Sequence, residues 1–211
     1  MGEQLALFSK TILHGPTGPD RIQEINEQIR ACQECGLCLQ RTQPTCGAGN
    51  AVKPILAIVT GAPDTMEDLS GAPIVGRPGE ELDLILKWLG LAREDQFLTH
   101  VVACKPKERR PLTKEEIAAC RPLLYNQLRA VEPQFIVTFG EEAAKSVLYL
   151  PKKTDKQVAA LFGTWQVFDA VPVMPTISLE SLLGKDRNAK RGIAHEHLRR
   201  LARKLRAEVA P

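Results

Sequence analysis

Six cysteines carry the most specific chemistry in this chain. Cys32 and Cys35 are separated by two residues, Cys38 follows at once, Cys46 comes in the next loop, and Cys104 and Cys120 stand apart further on. Two intervening residues let both thiolates face one metal centre, a spacing shared by zinc sites, iron–sulfur clusters and redox dithiols. A redox dithiol ordinarily opens a helix after a strand, whereas Cys32 and Cys35 close a helical segment and enter a loop. Cys104 and Cys120, on spacing alone, fit equally as ligands or as small buried apolar residues. Met1–Lys10 lacks the pattern of a secretory signal, and no run of 18 apolar residues exists. The expectation is a cytoplasmic protein whose thiols stay reduced, with no membrane association.

The second feature is charge. The net formal charge of +3 says little, but Lys185, Arg187, Lys190, Arg191, Arg199, Arg200, Arg203, Lys204 and Arg206 are opposed only by Asp186 and Glu196 in the same stretch. Arg199, Arg203 and Arg206 recur at spacings of four and three, which places them on one helical stripe. Such a stripe suits phosphate contacts or a solvated face.

Elements that would position these residues can be read from periodicity. Asp20 can cap a helix that turns Ile22, Ile25 and Ile29 to one side and delivers the chain to Cys32. Ile55–Val59 is a buried strand, the loop after it runs to Gly79, and Glu80 and Glu81 open a helix that buries Leu82, Ile85, Leu86 and Leu89. Phe97–Ala103 is a second strand. Thr113 and Glu116 form a capping box for a helix to about Val131, Phe135–Phe139 is a third strand, and Gly140 opens a short helix. Trp165–Phe168 and Val171–Met174 are further strands, and a last helix from about Ile193 to Ala207 turns Leu198, Leu201 and Leu205 inward. Strands alternating with helices predict a three-layer α/β/α fold with a mostly parallel central sheet. Ligands then bind beyond the carboxyl ends of its strands. Residues 1–19 are expected to form a flexible leader, and 20–211 a single domain, monomeric, with the basic helix at its end.

Cys32-x-x-Cys35 with Arg41-Thr42, Gly47-Ala-Gly-Asn50, Glu67-Asp68-x-x-Gly71-x-Pro73-x-Val75-Gly76-Arg77-x-Gly79, Val101-Val102-x-Cys104-Lys105-Pro106, Arg110 through Cys120, Pro133 through Gly140, and Pro175-Thr176 follow one another along the chain. Together these spaced motifs resemble those of the iron–sulfur uracil-DNA glycosylases, family 4 of the uracil-DNA glycosylase superfamily. The resemblance implies that Cys32, Cys35, Cys104 and Cys120 hold a structural [4Fe–4S] cluster, leaving Cys38 and Cys46 outside the ligand set. It also implies a DNA-binding hydrolase of base excision repair.

The resemblance weakens where uracil would be handled. The family's Glu in G-E-x-P-G is replaced by Gly61 in the run Gly61, Ala62, Pro63, Asp64. Its stacking Phe becomes Ile74, its strand-end Asn becomes His100, and its His of H-P-S becomes Ser178. Those positions are expected to line the base site. Asp64, Glu67, His100 and Ser178 are the candidates for a retuned catalytic set, and each can also be read as an ordinary loop or strand-end residue. The expected function is therefore a divergent member of the superfamily with altered or lost base excision. Two alternatives stand beside it: an active N-glycosylase for uracil or another deaminated base, and a non-catalytic iron–sulfur protein that binds nucleic acid or senses redox state.

Overall fold

The computed structural model describes residues 17–208. Most of the expected leader therefore lies outside the described residues. The described chain begins with α1 (Pro19–Ala31), followed by a single tight turn at Gly36–Leu39 and a two-residue strand β1 (Ala48–Gly49). Then come β2 (Leu56–Thr60), α2 (Thr65–Ser70), α3 (Gly76–Leu89), β3 (Phe97–His100), α4 (Lys114–Val131), β4 (Phe135–Phe139), α5 (Glu141–Val147) and α6 (Asp155–Ala159). The last elements are β5 (Gln166–Phe168), β6 (Val171–Thr176), α7 (Leu179–Leu183) and α8 (Arg187–Glu208).

The sheet runs β1-β3-β2-β4-β6-β5. Its four inner strands are parallel, and the short edge strands β1 and β5 pair antiparallel. Side chains alternate across β2. Ala57 and Val59 join a core with Ile25, Leu124, Leu128 and Val147 from α1, α4 and α5. Leu56 and Ile58 join the opposite core with Leu82, Ile85, Leu198 and Leu201 from α3 and α8. Burial on both faces explains why β2 and β4 read as apolar runs without alternation. The result is the three-layer arrangement that the alternation of elements predicts.

Some boundaries differ from those read in the sequence. The second strand stops at His100 rather than Ala103, because Val101 N turns to donate to the carbonyls of Thr60 and Gly61. The supposed loop from Thr60 to Gly79 contains α2, whose Asp64–Glu67 capping box holds a helix too short to show periodicity. Helix α3 starts at Gly76, so Glu81 sits in its body and is buried rather than at its opening. The last helix begins at Arg187, ahead of Ile193, because its first turns are polar on nearly every side. Strand β6 runs through Pro175, where the sequence reading ends it at Met174. Pro175 O accepts from Gly163 N, so the proline's missing donor faces the same side, beyond the end of β5, and no ladder bond is lost. Gly49 has φ +106°, and a Cβ there would lie 2.0 Å from Gln96 O, so the edge of β1 requires glycine.

Candidate functional site

Strand β2 connects through α2 to α3, which packs on one face of the sheet, and β4 connects to α5, which packs on the other. Neighbouring strands whose exits diverge open a crevice at their carboxyl ends. Gly61 and Ala62 border it from β2, Gly140 and Glu142 from β4, with His100 at the end of β3 and Ser178 beyond β6. A Cβ on Gly61 would lie 3.0 Å from Glu142 Oε2, and one on Gly140 would lie 3.1 Å from Ser178 Cβ. The expected site residues Gly61, Ala62, Pro63, His100 and Ser178 are thus brought to one end of the sheet.

Several of them are committed to internal contacts. Asp64 Oδ1 caps α2, accepting from Met66 N at 2.7 Å and from Glu67 N at 3.1 Å. Glu67 Oε2 returns to accept from Asp64 N at 2.6 Å. Its other oxygen lies 3.5 Å from His100 Nε2, within ion-pair range but without hydrogen-bond alignment. His100 Nδ1 shares a 2.6 Å hydrogen bond with Thr60 Oγ1. This carboxylate–imidazole–hydroxyl chain is closed to solvent, with Glu67 and His100 side chains 5% and 2% exposed. Burial pushes the Glu67 carboxyl up, but His100 and the backbone donors of Asp64 and Val75 outweigh it and hold it below the usual carboxylate range.

Ile74 is fully buried beside Leu82 and Leu86, and its backbone takes φ +53°, a strained conformation for a β-branched residue. Its carbonyl accepts from Arg93. It is a core residue of the α3 face rather than a wall of the crevice. Ser178 caps α7, accepting from Ser181 N at 3.3 Å. The cavity beside His100, lined also by Thr99, Cys120 and Gln127, holds about 10 Å³. That is the scale of one water, and the cavity lies among α1 and α4 residues such as Ile29 and Leu124 rather than in the crevice.

Sequence reasoning missed Glu142. Its only signal is an acid two residues past the glycine that ends β4. Burial pushes its carboxyl up, opposed by Lys145 and the Leu112 backbone and reinforced by Asp155 and Glu116.

The cysteines occupy another edge of the body. Cys32 follows α1, Cys35 precedes the Gly36–Leu39 turn, Cys104 lies beyond β3, and Cys120 is on α4. Arg41 ties two of these segments together. Its Nη1 donates to Cys104 Sγ at 3.0 Å, and its Nη2 to Arg30 O at 3.1 Å and Cys32 O at 3.2 Å. Burial pushes Cys120 up to about 12, and Cys104, Cys35 and Cys32 add to that rise, so the four thiols share one electrostatic neighbourhood. Cys104 is raised by burial and pulled back by Arg41. As they stand, no three Cys, His, Asp or Glu among the described residues converge tightly enough to hold a metal ion. Cys46 is buried apart from them, its Sγ 3.7 Å from Asn26 O.

Arg199, Arg203 and Arg206 are exposed on α8, while Leu198, Leu201 and Leu205 are buried, as the spacing predicts. The helix, however, runs away from the crevice. Lys204 lies 5.2 Å from the Trp165 ring, which is 6.0 Å from Phe135, the first residue of β4. Arg203 and Arg206 therefore sit at the amino ends of the strands. Lys185 precedes α8 and Arg187 opens it, ahead of His197, whose Nδ1 shares a 3.0 Å hydrogen bond with Thr176 Oγ1 at the carboxyl end of β6. No helix among the described residues is long and apolar enough to cross a membrane.

Comparison with known proteins gives a consistent result. Residues 46–206 match the model of the uracil DNA glycosylase superfamily. The chain is 36% identical over 165 residues to a type-4 uracil-DNA glycosylase of Saccharolobus solfataricus, covering 74% of each protein. It is 32% identical over 182 residues to one of Thermotoga maritima, covering 86% of this chain and 93% of the relative. A third, from Archaeoglobus fulgidus, is 37% identical over 131 residues, covering 62% of this chain and 65% of the relative.

Proposed function

The chain belongs to the uracil DNA glycosylase superfamily, alongside its type-4 members, and from that premise we propose that it binds DNA at the crevice, carries an iron–sulfur cluster, and has lost or altered the excision of uracil. One observation carries this reading. The residues standing where the family handles uracil are engaged inside the protein: His100 with Thr60 and Glu67, Ile74 in the core, Ser178 at the cap of α7. Breaking a base–sugar bond needs preorganised donors for the departing base and a polar group near the sugar. Gly61 supplies no side chain for either task.

A second reading, in which another base is excised, is favoured by Glu142. It brings to the crevice a carboxylate that no motif predicts. The two readings differ in a direct assay. The protein incubated with single-stranded oligonucleotides is expected to bind without releasing uracil; release of a different deaminated base would move the assignment to the second reading.

For the cluster, the support is the chemistry of the donor set: Cys32, Cys35, Cys104 and Cys120 are four soft thiol ligands, and Arg41 donates to Cys104 Sγ and to Cys32 O. Bound there, an iron–sulfur cluster would supply cross-linking rather than catalysis. The thiols would anchor α1, the loop after it, the loop after β3, and α4 to one another. Protein purified without oxygen is expected to be brown and to contain about four irons per chain. Cys32→Ala, Cys35→Ala, Cys104→Ala and Cys120→Ala should each lower iron content and solubility, and Cys38→Ala and Cys46→Ala should lower neither. Stoichiometric zinc with no iron would contradict the assignment.

A further inference from the structure

Glu142 stands near the carboxyl ends of β2 and β4, whose connections lead to helices on opposite faces of the sheet. Its Oε2 occupies the space a side chain on Gly61 would enter, since a Cβ there would lie 3.0 Å away. Lys145, one turn further along α5, pairs with Asp155 and still acts on the Glu142 carboxylate, as the Leu112 backbone does. Burial raises the carboxyl, as expected of an acid drawn into a partly closed crevice. A carboxylate of this kind has a definite preference. Ionised, it accepts hydrogen bonds and offers none. A ligand edge that presents N–H donors is favoured there, and one that presents carbonyl oxygens is repelled.

We propose that Glu142, set against Gly61 across the gap between β2 and β4, selects nucleotides whose base presents an exocyclic amino group over those presenting a carbonyl at the same place. This rests on the reading that the crevice receives nucleic acid. It names a specificity that the reading alone does not contain. Uracil and cytosine make the cleanest pair for comparison, because they share one ring shape and differ on that edge. A buried hydrogen-bonded contact to a base edge discriminates by about 1–3 kcal/mol, roughly 5- to 150-fold.

The test is equilibrium binding of the full chain, purified without oxygen, to two single-stranded oligonucleotides identical except for a central cytosine or uracil. The parent is expected to favour the cytosine strand by about tenfold, a value within that range. In Glu142→Gln the amide can donate as well as accept, so the preference should collapse to about equal affinity. Binding to strands lacking the central base should be unchanged, because phosphate contacts are intact. Glu142→Asp, which keeps the charge on a shorter stem, should retain the direction of the preference. Circular dichroism of each variant should match the parent. Equal binding of both strands by the parent, or a preference that survives in Glu142→Gln, would overturn the role given to Glu142 and leave DNA binding intact. Failure of the parent to bind any oligonucleotide would overturn the nucleic-acid reading, and this inference with it.

Discussion

At the residue scale, the most informative group is the chain Glu67–His100–Thr60. In the sequence, His100 stands where the resemblance calls for Asn, and Glu67 reads as a candidate catalytic acid. Their meeting is not legible there, because the two are far apart along the chain. They come together only through the pairing of β2 with β3, which aligns Thr60 with His100, and through the cap that turns Glu67 back toward β2. The same holds for Ile74, whose burial depends on the strained backbone that follows α2. The Glu67 carboxyl titrates lower in the folded state than in the unfolded one. Its ionised form therefore stabilises the fold, fully above the unfolded value near ~4.3, and that contribution is lost as pH falls through the folded value. Glu67→Gln should cost about 1–3 kcal/mol at neutral pH, the range for disrupting a buried hydrogen-bonded group. Urea unfolding at neutral pH and in acid would check this: the gap between parent and variant should narrow in acid, and a gap that widens would contradict the assignment.

At the element scale, long amphipathic helices and apolar strands are legible because their periodicity spans many residues. Helix α4 carries both its capping box and its buried face in the sequence. The short helices α2, α6 and α7 are not, since five or six residues hold too little pattern and are fixed by caps at Asp64, Thr154 and Ser178. The stripe on α8 is visible in the spacing of its arginines, but its direction relative to the crevice follows from the packing of Lys204 near Trp165, which no spacing reveals. That placement yields a discriminating prediction. If nucleic acid lies across the crevice alone, charge reversal at Lys185 and Arg187 should weaken binding and flatten its salt dependence by about one unit per lost phosphate contact. Reversal of Arg199, Arg203 and Arg206 together should then have little effect. If the tail is the phosphate-binding face, the order of the two effects inverts. Salt titrations of the double and triple reversals separate the cases.

At the scale of the whole molecule, the alternation of strands and helices and the spaced motifs carry the fold and the family, and both stand. The four cysteines are proposed as a set because their segments keep the order of the family's motifs along the chain. The base site is legible only as a series of replaced residues. Whether a replacement opens, fills or leaves the site depends on packing from both faces of the sheet, as Ile74 and Glu142 illustrate in opposite senses. The central claim is that this scaffold has lost or altered uracil excision. Removing one preorganised donor commonly slows an enzyme by ~10²–10³, and here several positions differ at once, although such losses need not multiply. The direct measurement is single-turnover release of uracil from single- and double-stranded oligonucleotides, with the Thermotoga maritima relative run in parallel. Release at or near background is expected for this protein while the relative turns over; release at a rate comparable to the relative's would contradict the claim.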